Sequence, residues 1–149
     1  MSLLFSREGE YSIQALCYIA LRPVGELVGN RELTDDLGIP YFYLGKVLQK
    51  LVRRGYLISR KGPNGGFALA VQPETITLYD IKDAIDGAES LSTCALGFKD
   101  CSNENRCAVH HEWKILREGI ASMLRNRDIL TIAQESKRSE LQKSPLGGV

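Results

Sequence analysis

Apolar positions recur with helical spacing along much of the chain. Between residues 9 and 21 the spacing is i, i+3, i+4, i+7, which predicts an amphipathic helix. A short helix is predicted for residues 30–37, and a Gly38-Ile39-Pro40 turn leads into a second helix that ends near residue 54. The buried stripe of that second helix is Leu44, Val47, Leu48, Leu51 and Val52. Two helices joined by a short turn predict a helix-turn-helix.

The next segments predict a hairpin and then two further helices. Short strands are expected at residues 56–60 and 67–71, and the glycine-rich loop 61–66 joins them as a wing. Thr77 and Asp80 form a capping box that opens a helix ended by Gly87. A longer helix follows from residue 108 to 126. Its apolar residues step by 4, 3, 4, 3, the spacing of a coiled-coil seam: Val109, Trp113, Leu116, Ile120 and Met123.

The predicted fold class is mainly α with a small β-hairpin, a winged helix-turn-helix domain followed by one long helix. We divide the chain into a winged unit at residues 1–87, a cysteine-rich loop at 88–107, a helical segment at 108–135 and a tail at 136–149. The tail is polar, contains glycine and proline, and is expected to be mobile.

Charge is balanced overall but unevenly distributed. The 149 residues contain 19 basic and 18 acidic side chains, so a polybasic or polyacidic chain is excluded. Residues 41–70, however, contain six basic residues and no acidic one. A basic helix followed by a basic, glycine-rich hairpin predicts DNA binding. Tyr41, Tyr43 and Lys46 are expected to meet base edges, and the candidates for phosphate and wing contacts are Lys50, Arg53, Arg60, Lys61 and Asn64.

Three of the four cysteines, Cys94, Cys101 and Cys107, fall within fourteen residues. The sequence shows neither a membrane span nor a secretory signal, so a cytoplasmic location with reduced thiols is expected. Clustered cysteines there indicate metal or redox chemistry. The spacings between these cysteines are wider than those of zinc knuckles. A loop with three thiolates at wide spacing can surround an iron–sulfur cluster. His110 and, as an alternative, Glu10 are candidate fourth ligands, whereas Cys17 is expected in the core.

These elements together resemble a bacterial family of winged-helix transcription regulators that includes IscR, NsrR, RirA and CymR. The resemblance covers roughly residues 5–135. It rests on an opening helix, a turn, a wing and a cysteine run, which are Tyr11-Ser12-Ile13-Gln14-Ala15-Leu16, Gly38-Ile39-Pro40, Arg60-Lys61-Gly62-Pro63-Asn64-Gly65-Gly66-Phe67 and Cys94…Cys101…Cys107-x2-His110-x2-Trp113.

The resemblance implies a homodimeric regulator, expected to be a repressor, in which the long helix pairs across the dimer and the wings reach a palindromic operator. It implies that the three cysteines hold an iron–sulfur cluster in a sensor loop. His110 resembles the histidine ligand of the 2Fe–2S members, and Glu10 lies about where the nitric-oxide sensors carry an acidic ligand to a 4Fe–4S cluster. The first cysteine gap is six residues rather than the five of the iron–sulfur cluster regulator, so the cluster type stays open.

Other functions are weighed against this one. The same regulator could sense through bare thiols or hold zinc, because some members of the family bind no cluster. A winged helix can also bind a partner protein, and a cysteine-bound cluster can belong to a redox protein. The sequence contains no second cysteine set and no Ser/His/Asp grouping. We therefore expect a protein that is not an enzyme.

Overall fold

A computed structural model describes residues 2–98, 102, 104 and 106–136. In this part of the chain six α-helices and one β-hairpin occur in the order α1 (Arg7–Ala20), α2 (Asn30–Leu37), α3 (Tyr41–Arg53), β1 (Leu57–Arg60), β2 (Gly66–Leu69), α4 (Leu78–Asp86), α5 (His110–Arg125) and α6 (Ile129–Glu135). Single 3-10 turns lie at Pro73–Thr75 and Ala88–Leu91. The predicted fold class is confirmed, and the helix boundaries agree with the sequence prediction to within about two residues.

The helix-turn-helix is built around a fully buried core. Gly38 ends α2 with a φ of 69°, a left-handed conformation that glycine adopts without a steric penalty, and its N–H donates to the Thr34 oxygen at 2.9 Å. The core-facing side chains of α3 have no exposed surface: Leu44, Val47, Leu48 and Leu51. Cys17 is also fully buried, as predicted, and burial raises the pKa of its thiol to about 12. Cys17 is therefore an inert core residue.

The wing hairpin is attached to the segment before α2. The two strands pair in antiparallel register from Leu57 opposite Leu69 to Arg60 opposite Gly66. On the other side of β2, Val28 forms an antiparallel bridge with Phe67, in which each N–H donates to the other residue's oxygen at 2.8 Å. This third partner fixes the wing against the start of α2.

Helix α6 packs into the core of the winged unit, beside α1. Ile129 and Ala133 are buried among the core residues of α1. The Ile129 N–H donates to the Ile76 oxygen at 2.8 Å, and the Leu78 N–H donates to the Arg127 oxygen at 2.9 Å. The side chains of α6 therefore stabilise the winged unit, although the helix follows α5 in sequence. The tail predicted to be mobile lies outside the described residues from position 137 onward.

The capping box predicted at the start of α4 is present, with Thr77 and Asp80 each accepting the other's backbone N–H. At the other end of α4, Asp86 accepts bonds from Ser6, the N-cap of α1, and from the buried Lys82 at 3.1 Å. Burial alone would raise the pKa of Asp86, but these hydrogen bonds hold it below its usual value. The start of α1 is thereby fixed to the end of α4. No described helix is both long enough and apolar enough to cross a membrane.

Candidate functional site

The outer face of α3 carries one exposed row of side chains. Phe42, Lys46, Gln49 and Arg53 follow each other at i, i+4, i+7 and i+11, so they lie on one side of the helix. All four are exposed. Lys46 and Arg53 form no ion pair with any residue in the described ranges. We call this row the α3 stripe.

The α3 stripe adjoins a groove between the helix-turn-helix and the wing. The groove is lined by residues from the start of α2, from α3 and from the hairpin, including Asn30, Arg31, Tyr41, Gln49, Arg60 and Lys61. Arg60, Lys61 and Asn64 are exposed on the wing. The structure thus places the basic residues of helix and hairpin along two adjoining concave surfaces, which share Asn30, Tyr41 and Gln49.

The residues of α3 that were predicted to contact DNA differ in their exposure and in the contacts they already make. Tyr41 is exposed, and the Arg31 guanidinium lies 5.8 Å from the centre of its ring. Tyr43 is half-buried with its ring packed edge-on against Tyr11, and burial raises the pKa of its hydroxyl. The Lys50 ammonium is 2.5 Å from a carboxylate oxygen of Glu8, so part of its charge is already neutralised.

Three residues of this surface were missed by the sequence reasoning: Phe42, Gln49 and Arg31. Phe42 is 84% exposed and lies outside the buried stripe of α3, which was the available signal. On α3 the prediction considered only cations and tyrosines as contacts. Arg31 could not be found in this way, because its position depends on how α2 crosses α3.

The cysteine loop brings two of its thiols together. The Sγ atoms of Cys94 and Cys107 are 3.6 Å apart, and Cys94 is buried. The Leu96 N–H donates to the Cys94 sulfur at 3.4 Å, and this backbone bond is the main reason why the pKa of Cys94 lies below its usual value. A thiol so placed ionises readily and can bind a metal.

The separation of the two thiols fits a shared metal centre. Two ligands of one tetrahedral ion with metal–sulfur bonds of about 2.3 Å lie about 3.8 Å apart. Among residues 2–98, 102, 104 and 106–136, no three cysteine, histidine or carboxylate side chains are close enough to hold one ion. Cys101 lies outside the described residues, so the predicted ligand set stays a prediction.

The two candidates for the fourth ligand have different surroundings. His110 is buried at the start of α5, and its backbone N–H donates to the Cys107 oxygen at 3.1 Å. Glu10 lies on α1. One of its carboxylate oxygens accepts the Ser2 N–H, and the other is buried with no hydrogen-bond partner in the described part of the chain. A buried carboxylate oxygen that accepts no hydrogen bond is able to bind a metal ion or another cation.

Helix α5 holds the loop and exposes an apolar face. The Trp113 indole N–H donates to the Thr93 oxygen at 2.8 Å, and Arg117 donates to the Ser92 oxygen at 3.1 Å, so the residues just before Cys94 are fixed to α5. Of the predicted seam, Val109, Leu116 and Met123 are exposed, whereas Trp113 and Ile120 are half-buried. Ile115, which the spacing did not include, is exposed beside them.

Comparison with known proteins places these features in context. The sequence profile of the Rrf2 family, described as iron-dependent transcriptional regulators, matches residues 5–135. A protein of Aquifex aeolicus assigned as an HTH-type transcriptional regulator is 35% identical over 138 residues, which cover 89% of this chain and 95% of the relative. The transcriptional regulator IscR of Erwinia tasmaniensis is 26% identical over 149 residues, covering 94% and 90%.

The fold is also similar to that of a solved regulator. The structure of CymR, the global cysteine regulator of B. subtilis, superposes with a TM-score of 0.75 over 91% of this chain and 100% of that chain, at 18% identity. The relatives found by sequence are transcriptional regulators rather than enzymes.

Proposed function

Because this chain belongs to the Rrf2 family of transcriptional regulators, we propose that it binds an operator through α3 and the wing, and that a metal group in its cysteine loop sets the operator affinity. The observation that supports DNA binding is the pair of adjoining concave surfaces formed by the α3 stripe and the hairpin. The major groove of B-DNA admits one α-helix, and a wing beside that helix can reach the neighbouring backbone. The proposed role is that of a repressor.

The basic residues divide into two functional groups. Lys46 lies in the N-terminal half of α3, where a recognition helix contacts base edges, whereas Arg53 lies at the end of the helix near the phosphates. Arg60, Lys61 and Asn64 would meet the backbone from the wing. Phosphate contacts set affinity and register, and base contacts set sequence preference.

The Arg53→Ala variant is expected to weaken binding to all duplexes alike and to lower the salt slope by about one, because one phosphate contact is lost. Lys46→Ala is expected to change base preference, by about 1–3 kcal/mol at one position of the site. Both effects are measured by titrating labelled duplexes, selected from a random pool, over a salt series.

The neighbouring Arg54→Ala variant is the matched control. The Arg54 guanidinium points to α4, where it lies 3.4 Å from a carboxylate oxygen of Asp83, so its loss should leave the salt slope unchanged. Equal effects of the Arg53 and Arg54 substitutions would contradict the assignment of the DNA-facing side. Binding that is insensitive to salt would instead favour a winged helix that docks a partner protein.

We assign the metal group as an iron–sulfur cluster held by Cys94, Cys101 and Cys107, with His110 or Glu10 as the fourth ligand. The donor set supports this assignment, since two sulfurs already lie at the spacing that one metal centre requires. The chemistry that a cluster would supply is a change of oxidation state or the loss of the cluster itself. The chain's own part is to hold the thiolates: the Leu96 N–H stabilises the Cys94 sulfur, and Trp113 fixes the preceding residue, Thr93, to α5.

A second candidate is a regulator that senses through its bare thiols or holds zinc. The 3.6 Å between the Cys94 and Cys107 sulfurs supports it as well, because a small movement would allow a disulfide of about 2.05 Å. Anaerobic isolation with an absorption spectrum and counts of iron, sulfide and zinc separates the candidates. Visible absorption with bound iron and sulfide supports the cluster. A colourless protein with one zinc, or with no metal, contradicts it. A cluster protein that binds no DNA would be a redox protein instead.

We further propose that α5 pairs with α5 of a second copy, so that two wings reach a palindromic site. Its support is the exposed apolar face of α5, since a row of such side chains on one helix is typical of an interface. The link from α5 to the loop through Trp113 would couple the cysteines to the spacing of the wings. Such coupling is typically worth about 1–3 kcal/mol.

The Leu116→Asp variant is expected to yield a folded monomer, because a charge would then lie in the centre of the apolar face, where Leu116 is now 60% exposed. The mass in solution, measured by light scattering, reports the result. Glu118→Lys changes the charge at an exposed position on the side of α5 opposite Leu116 and should leave the mass unchanged. A Leu116→Asp protein with the wild-type dimer mass would contradict α5 as the interface.

A further inference from the structure

Phe42 is the most exposed large hydrophobic residue of the α3 surface. Its side chain is 84% exposed in the first turn of α3, and the neighbouring Tyr41 is 45% exposed. The two rings meet edge to face with centroids 5.5 Å apart. An aromatic ring held out into water forgoes a burial worth about ten-fold or more in an equilibrium constant. The exposure of such a ring at the end of the α3 stripe indicates that a ligand buries it.

The packing of α3 fixes the direction in which Phe42 points. Tyr43, the next residue, packs edge-on against Tyr11 of α1 with centroids 5.2 Å apart, and Leu44 is fully buried. These contacts set the rotation of α3 about its own axis. Phe42 is therefore held on the same side as Lys46 and Gln49, at the helix end that enters the groove first.

We propose that Phe42 reads the C5-methyl group of thymine in the major groove. This inference rests on the proposed binding of operator DNA through α3. Thymine alone among the four bases presents a methyl group there, and apolar side chains recognise it by contact. Lys46 and Gln49, which follow on the α3 stripe, carry donors and acceptors suited to guanine and adenine edges. The charges of Lys46 and Arg53 would attract the duplex, and the ring of Phe42 would add sequence preference at A·T pairs.

The test compares thymine with uracil, which differs only by the methyl group. Duplexes selected from a random pool by the wild-type protein are amplified with either thymidine or deoxyuridine triphosphate, and both products are titrated. The wild-type protein is expected to bind the uracil duplex about four-fold more weakly for each contacted methyl, and about fifteen-fold more weakly for two equivalent half-sites. The Phe42→Ala variant is expected to bind both duplexes with nearly equal affinity.

The ratio of the affinities for the thymine and uracil duplexes is compared between the wild type and Phe42→Ala. This comparison isolates the methyl contact, because any effect of uracil on DNA shape acts on both proteins alike. Phe42→Leu should keep part of the preference, and Val24→Ala, an exposed apolar residue between α1 and α2, should keep all of it. If Phe42→Ala binds weakly, titration at lower salt restores a measurable complex. Since the ring is exposed, the variant should fold, and its thermal melting is checked.

Two results would overturn the inference. One is a wild-type protein that does not distinguish thymine from uracil, and the other is a Phe42→Ala protein that keeps the full preference. If DNA binding is also unaffected by Phe42→Ala, the ring serves a protein partner instead. A wild-type protein that selects no duplex at all would contradict the proposed function rather than this assignment alone.

Discussion

Replacing Cys107 with alanine is expected to abolish retention of the metal group. Its sulfur lies 3.6 Å from that of Cys94, and these two thiols are the pair that the described structure brings together. The loss of one ligand should lower the iron and sulfide content by at least about ten-fold, because even residues that only support a ligand affect metal affinity to that degree. Iron and sulfide assays and the visible spectrum of anaerobically isolated protein measure the effect.

The chain offers a matched control in Cys17, a cysteine outside the loop. Cys17 is fully buried in the core and its thiol ionises only at high pH, so Cys17→Ala should keep the metal while losing some stability. A Cys107→Ala protein that retains its full iron content would exclude Cys107 as a ligand. If the wild-type protein instead contains zinc, and Cys107→Ala loses it, the ligand role holds and the cluster assignment fails.

The parts of the fold that follow from local rules were predictable. The buried stripe of α3 appears in the sequence as apolar residues at helical spacing, and the structure buries Leu44, Val47, Leu48 and Leu51 completely. Gly38 and the capping box of Thr77 act within a single turn, so the sequence places them.

Contacts between distant segments were not predictable in this way. The bridge between Val28 and Phe67 joins residues far apart in the chain, and no pattern marks Val28 as a strand. The packing of α6 against α1 likewise depends on the direction in which the chain leaves α5. A short apolar run such as 129–133 shows that a segment is buried, but it does not show against which partner.

The candidate site shows the same difference between features set by local sequence and contacts between distant segments. The basic helix and wing were predicted because their charges are clustered between residues 41 and 70, whereas the pairing of Lys50 with Glu8 arises only when α1 crosses α3. The base contact of Tyr43 stays a prediction, and the contact of its half-buried ring with Tyr11 was not foreseen, because a tyrosine fits either a core or a surface. The ligation by Cys94, Cys101, Cys107 and His110 remains a prediction.

Replacing Gly66 with alanine is expected to detach the wing from the helix-turn-helix. A Cβ at this position would lie 2.3 Å from the Val28 oxygen and 2.6 Å from its carbonyl carbon, and the φ of 151° is unsuited to an L side chain. Relief requires the Val28–Phe67 bridge to open, which costs two hydrogen bonds of about 1 kcal/mol each besides the backbone strain. We expect a loss of about 3 kcal/mol, or roughly 6–12 °C in Tm, measured by thermal melting.

Gly62→Ala is the matched control, because Gly62 also has a positive φ, of 106°, but a Cβ there would meet nothing within 4 Å. Its cost should be limited to backbone strain of about 1–2 kcal/mol. Equal melting temperatures for the two variants would show that the contact with Val28 does not hold the wing. If the contact does hold it, Gly66→Ala should also weaken DNA binding at temperatures where the protein is folded. Arg60→Ala should then reduce DNA affinity much less in the Gly66→Ala background than it does in the wild type, because a displaced wing no longer presents Arg60 to the groove.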